Sequence, residues 1–203
     1  LEKVILSQED SAKNLIYTRI DNLKGNLIAS INSVSGTNLP ERFDITYESD
    51  KTINATIPYM KGHIPIVLLF KALGVNNDKE LLECICGENI NSELSKILIR
   101  KLIPSLNVVE NVSNQEISLK LLSILTKVPA PPVDVKLKSN SEKWRGNLLY
   151  ILNKRFLPHI KVESDDYMES LNNKIYFLGY MVRKLLLTEL GLLKLTDRDS
   201  LIY

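Results

Sequence analysis

At 203 residues the chain is long enough to bury a sizeable core, as one large domain or two small ones. Its 44% hydrophobic and 25% charged residues are ordinary for a globular protein, and a formal net charge of +2 is too small to require a polyanionic partner. No apolar run approaches the roughly 18 residues of a membrane span, and Cys84 and Cys86 are too close in sequence to bridge without strain, which argues against a secreted disulfide scaffold.

The first third favours strands. A short one is expected at Val4–Leu6 and a longer one over Asn26 to Val34. Phe43, Ile45 and Tyr47 alternate with Asp44, Thr46 and Glu48, and Ile53, Ala55 and Ile57 alternate with Asn54 and Thr56. That period of two marks half-buried strands, and Glu48-Ser49-Asp50-Lys51 supplies a polar hairpin turn between them.

From Ile64 the pattern turns helical. Asn77 with Glu80, and Ser113 with Glu116, have capping-box spacing and predict helices over 78–86 and 114–127. A third helix is expected over 91–103, stopped by Pro104. Val128-Pro129-Ala130-Pro131-Pro132 cannot continue a helix, because proline lacks the amide and clashes with the preceding turn; a linker or subdomain hinge is expected near 128–140. A helix over 143–157 should end at Pro158. The last helix carries Leu171, Ile175, Leu178, Val182 and Leu185 as one apolar stripe, with Asn173, Lys184 and Thr188 on other faces and Gly191 placed to end it.

Catalytic and metal-binding patterns are weak. Structural zinc usually needs a C-x₂₋₄-C pair and a matching second pair, whereas C-x-C on a helix sends Cys84 and Cys86 to different faces, far in sequence from His63 and His159. His159 follows Pro158 with no nucleophile nearby and reads as a structural or interface residue. Asp165-Asp166 sits where carboxylates cap a helix, and Arg198 between Asp197 and Asp199 suggests a salt bridge. There is no Walker-type glycine loop and no G-x-S-x-G elbow. The sequons at Asn54 and Asn111 carry no secretory context and read as chance.

One cluster is basic. Lys136, Lys138, Lys143 and Arg145 lie in a loop and helix start, and Lys154 and Arg155 follow on the helix. Two readings stand: a solvated face, or sequence-independent contact with phosphates or an acidic protein. Trp144 among them fits the core better than a partner-stacking role.

Five islands of sequence carry a resemblance. They are Glu2-Lys3-Val4-Ile5-Leu6-Ser7-Gln8-Glu9; Ile53 to Gly74, with Thr56-Ile57-Pro58-Tyr59-Met60 inside it; Phe156-Leu157-Pro158-His159-Ile160; Phe177 to Leu187; and Asp197-Arg198-Asp199. In this order they resemble the lobe region of the second-largest subunit of multisubunit DNA-directed RNA polymerases. Ser200-Leu201-Ile202-Tyr203 departs from that family, which places a glycine and basic residues here, and Gly87 to Asn140 matches nothing in it.

The resemblance implies an α+β fold, with a small, mostly antiparallel sheet from the first third and residues 42–59, packed with several helices. Residues 1–203 would then be one lobe domain cut from a longer chain, with Ile66, Leu69, Leu73, Leu178, Val182 and Leu185 in the core. It implies a non-catalytic piece of a nucleotidyltransferase, with magnesium and zinc held elsewhere in the assembly. Partners would be the largest subunit, small subunits, initiation factors, and template and downstream duplex DNA, which Lys136, Lys138, Lys143 and Arg145 would touch. A membrane is not among them. The location would be intracellular: cytoplasmic if the source is a large DNA virus, as the divergence suggests, and otherwise nuclear. The competing reading is a free-standing helical adaptor between proteins.

Overall fold

The computed structural model describes residues 14–35, 39–87, 89–110, 112, 114–126, 140–160 and 167–196, with backbone alone at 140–144 and 167–170. Five strands form one antiparallel sheet in sequence order: β1 (Ile16–Ile20), β2 (Leu27–Ser33), β3 (Glu41–Tyr47), β4 (Ile53–Thr56) and β5 (Ile64–Pro65). The alternation fixes the register, pairing Ile31 with Phe43, Ala29 with Ile45 and Tyr47 with Ile53. All of these side chains are buried on one face, and a one-residue slip would turn them to solvent. Asp44, Thr46, Asn54 and Thr56 take the other face and stay partly exposed. The expected turn closes the β3–β4 hairpin, with Lys51 at φ +67° donating its N–H to the Glu48 carbonyl.

β1 is a strand that alternation does not reveal. Its register sets Ile16 opposite Ile31 and Thr18 opposite Ala29, so a polar residue sits in mid-strand on the core side. Thr18 is nevertheless fully buried, because Thr196 returns to the sheet edge: its Oγ1 accepts from the Thr18 N–H at 3.1 Å. The strand expected at Val4–Leu6 lies outside the described residues.

Six helices follow among the described residues: α1 (Ile66–Leu73), α2 (Asp78–Cys86), α3 (Glu93–Asn107), α4 (Gln115–Thr126), α5 (Asn140–Tyr150) and α6 (Tyr167–Glu189). The architecture is α+β. α1 is apolar around nearly its whole circumference and is buried between the sheet, α4 and α6. α6 packs on β1, β2 and β3 and also on α2 and α3. Ile66, Leu69, Leu73, Leu178, Val182 and Leu185 are all buried.

Helix ends follow local chemistry, with three corrections. At α2, Asn77 Oδ1 accepts from the Glu80 N–H at 2.7 Å, and the Glu80 carboxylate reaches back to the Asn76 N–H. At α4 the cap is Asn114, one residue after the expected Ser113: its Oδ1 accepts from the Ile117 N–H at 2.9 Å. Pro104 does not stop α3. It lies in the last turn, so one backbone donor is lost, while buried Leu98, Leu102 and Ser105 hold the turn in place. Ser105 Oγ also accepts the Ile53 N–H of β4 at 2.9 Å.

The helix expected over 143–157 starts earlier and ends differently. α5 runs into a π-helical turn, Ile151–Arg155, whose exit is set by the Phe156 N–H donating to the Ile151 carbonyl at 2.8 Å. α6 ends as expected: Gly191, at φ +72°, donates to Thr188 O and Leu192 to Leu187 O. Thr188, expected on a face other than the apolar stripe, is buried, with its hydroxyl returned to the Lys184 carbonyl. The linker expected near 128–140 lies outside the described residues save for Asn140, where α5 begins, and α4 and α5 on either side touch each other.

The α2–α6 contact requires a glycine. A Cβ on Gly179 would stand 2.3 Å from the Cys84 carbonyl oxygen, a backbone atom that can move only if the helices separate. Gly179→Ala should therefore destabilise the fold by about 1–3 kcal/mol, as overpacking does. Gly191→Ala, strained only by its positive φ, should cost about 1 kcal/mol. Urea unfolding of both variants decides it, and a Gly179→Ala protein as stable as the parent would contradict the close packing.

Candidate nucleic-acid interface

Of the expected basic cluster, α5 carries Lys143 and Arg145. Lys136 and Lys138 lie outside the described residues, and Lys143 is placed on α5 by its backbone alone. Arg145 is exposed on the same helix, and Lys154 and Arg155 are exposed on the π-helical turn that continues it. The side chain of Trp144 is likewise not described.

Arg155 is already engaged. Its Nη1 donates to Glu41 Oε1 at 2.9 Å, and its guanidinium lies 5.1 Å from the centre of the Tyr59 ring. The Tyr59 hydroxyl donates to the same carboxylate oxygen. Glu41 therefore ties the π turn to the start of β3, and among the described side chains of the cluster Lys154 and Arg145 are the cations facing water.

A buried lysine holds the turn from beneath. Lys174 of α6 is 1% exposed, and its Nζ donates to the carbonyls of Leu152 at 3.2 Å and Asn153 at 2.6 Å. A π turn leaves carbonyls without helical partners, and a cation at a helix C-terminus satisfies them and opposes the dipole. Burial, reinforced by the nearby Lys154 charge, lowers the Lys174 pKa from 10.5 to about 8. Sequence reasoning missed this residue. The available signal was its spacing, since Lys174 falls three residues after Leu171 and four before Leu178, on the apolar stripe itself.

The Phe156-Leu157-Pro158-His159-Ile160 segment plugs the same region into the sheet. Phe156 meets Phe43 edge to face with ring centres 4.9 Å apart, and Leu157 is buried at φ +47°. The His159 backbone N–H donates to Ser33 Oγ, and that hydroxyl lies 2.7 Å from His159 Nδ1. The serine hydroxyl thus bonds both the backbone and the ring of His159 and fixes the orientation of the imidazole. Burial, then the Lys174 charge, lowers the His159 pKa, which favours the neutral ring. Its role here is structural.

The remaining candidates do not converge. Cys84 is half-buried and Cys86 buried on α2, and burial raises both thiol pKa values. His63 is exposed beside the outer sheet face. Among the described residues no three His, Cys, Asp or Glu side chains are grouped to hold a metal ion. Asp165, Asp166, Asp197, Arg198 and Asp199 lie outside the described residues.

The family described as RNA polymerase Rpb2, domain 2, matches residues 12–202. The chain belongs to this family. It is 30% identical to DNA-directed RNA polymerase II subunit RPB2 of Schizosaccharomyces pombe, over 98% of this chain and 16% of that protein. It is 26% identical to DNA-directed RNA polymerase subunit Rpo2 of Saccharolobus shibatae over the same shares of each chain. With subunit Rpo2N of Methanocaldococcus jannaschii the identity is 31%, over 100% of this chain and 37% of that protein. The chain thus spans about a sixth of the length of the first two relatives. Within this Rpb2 domain 2, the π turn, Lys174 and the histidine plug form one buried support beneath exposed Lys154.

The support has a pH signature. Between pH ~8 and ~10 the unfolded chain holds the Lys174 proton and the folded chain has released it, so stability should rise with pH by up to about 3 kcal/mol. Lys174→Met should flatten that rise. His159, also depressed, contributes stability that is lost as pH falls below about 6.5. Ser33→Ala should cost about 1–2 kcal/mol at neutral pH by leaving His159 without its partner. Denaturant midpoints across pH 5–10 check these, and a Lys174→Met profile that parallels the parent's would contradict the buried ammonium.

Proposed function

We propose that this chain is the lobe module of the second-largest subunit of a DNA-directed RNA polymerase, forming part of the wall of the downstream DNA cleft and a docking surface for other subunits or initiation factors. The observation that carries this is the family match over residues 12–202, joined to relatives that are named as polymerase subunits and align with 98% of the chain or more.

The module itself does no chemistry. Two-metal phosphoryl transfer needs carboxylates converging on the metal ions, and in this reading another subunit supplies them. Magnesium and zinc belong elsewhere in the assembly, with the catalytic carboxylates on the largest subunit. The complex works where the genes it transcribes are found, in the nucleus or the cytoplasm.

Contact with DNA would run through Lys136, Lys138, Lys143 and Arg145, joined by Lys154. Lysine and arginine carry a cation at the end of a long flexible side chain, which suits phosphates rather than base edges. A cleft wall needs that chemistry, because downstream duplex of any sequence must slide past it. Binding of this kind is governed by counterion release and weakens steeply with salt.

Two measurements test the proposal. Affinity purification of the tagged full-length protein should recover a larger subunit bearing a metal-binding aspartate loop; recovery alone, or with unrelated partners, would favour a protein adaptor. In the recovered assembly, changing Lys136, Lys138, Lys143 and Arg145 to Ala should lower DNA affinity. It should also flatten the dependence of log K on log salt, by about one for each phosphate no longer neutralised. An unchanged slope would return these residues to an ordinary solvated face.

A further inference from the structure

A second surface has the opposite character. Between α2 and α6 runs a groove of about 530 Å³, lined by Glu80, Glu83, Cys84, Asn172 and Tyr176. The Gly179 contact brings the two helices together against Cys84, which also lines the groove. Tyr176 and Tyr180 stand one turn apart on the same face of α6, at 65% and 56% exposure. Two tyrosines so exposed on adjacent turns form a large open aromatic surface, of the kind enriched at the energetic centres of interfaces.

The charge at the groove is negative. The Glu80 carboxylate has one oxygen on the Asn76 N–H, and Glu83 is 3.7 Å from Lys79 at an exposed edge where such a pair is weak. The Arg183 guanidinium lies beside Gly87, which also lines the groove, and is engaged there, since its Nη1 donates to the Cys86 carbonyl. Burial, then the Glu80 and Glu83 charges, raise the Cys84 thiol pKa.

We propose that this groove receives an arginine-bearing segment of a protein partner, with guanidinium groups stacked on Tyr176 and Tyr180 and paired with Glu80 and Glu83. A guanidinium is flat enough to lie on a phenol ring and forked enough to take a carboxylate bidentately, which an ammonium does less well. Nucleic acid is disfavoured here, since its phosphates would meet two carboxylates. The inference gives the docking half of the proposed function a location and a partner chemistry. It rests on that reading only for the source of the partner.

The test uses the full-length protein purified with its bound partners. Asn172→p-benzoylphenylalanine places a photo-cross-linker in the groove and leaves both tyrosines intact. The adduct should form on a protein segment with an arginine close to the linked residue. Its yield should fall about tenfold in a Glu80→Gln/Glu83→Gln background, for a loss of about 1.4 kcal/mol. Gln at position 80 keeps an acceptor for the Asn76 N–H, so α2 stays capped. A cross-linker at Leu23, on the β1–β2 turn, should be indifferent to the same changes. An adduct on DNA, an adduct on a segment without arginine, no adduct, or a yield unmoved by the glutamine changes would overturn the inference. Failure to recover a larger polymerase subunit, with the arginine adduct still formed, would overturn the polymerase reading and leave this one standing.

Discussion

Everything in this fold depends on one helix being buried between a sheet and two other helices. α6, 23 residues long, lies over β1, β2 and β3 and carries α2 and α3 against its other sides. Leu178, Met181, Val182, Leu185 and Leu186 are all fully buried. At about 1.5–3 kcal/mol for each large side chain removed from water, they form one of the largest apolar blocks in the molecule. The cations α6 takes inward are satisfied by backbone. Lys174 serves the π turn, Arg183 the end of α2, and Lys184 donates to the Ile16 carbonyl at the sheet edge. Each meets carbonyls that a helix end or strand edge leaves free, so one set of hydrogen bonds answers two desolvation costs.

The same logic explains what was legible in the chain. Where burial follows a single period, as in Phe43–Ile45–Tyr47 or Leu171–Ile175–Leu178, the pattern in the sequence is the pattern in the fold. Where a polar residue faces inward with a distant partner, the pattern inverts and misleads. Thr18 is buried because Thr196 covers it, 178 residues away, and nothing near Thr18 announces that. Lys174 is hidden for the same reason. Its partners are backbone carbonyls 21 and 22 residues upstream, which no side-chain motif encodes. Pro104 shows the reverse failure, in which a strong local rule is overridden because the missing hydrogen bond falls in a turn already held by packing.

The candidate site was half legible. Cations grouped in sequence predict a basic surface, and Arg145 and Lys154 are exposed as that reading needs. Arg155, adjacent and of the same charge, is instead an anchor, because Glu41 and Tyr59 wait for it on the sheet side. Charge in the chain says which residues can meet a phosphate. Only the fold says which are free to do so.

α6 also links the two surfaces. Lys174 and Tyr176 are two residues apart and so point to different sides of the helix, one into the support of the basic turn and the other into the acidic groove. A partner that pulled α6 toward the groove would draw the ammonium of Lys174 away from the Leu152 and Asn153 carbonyls that it satisfies. Groups so stranded would cost about 1–3 kcal/mol, enough to resist such a shift. Gly179 works in the same direction, since its contact with Cys84 leaves the helices no closer approach to take up. The groove is thus built to hold its shape, and a partner that binds there adds contacts to a surface already in place without moving the basic turn behind it.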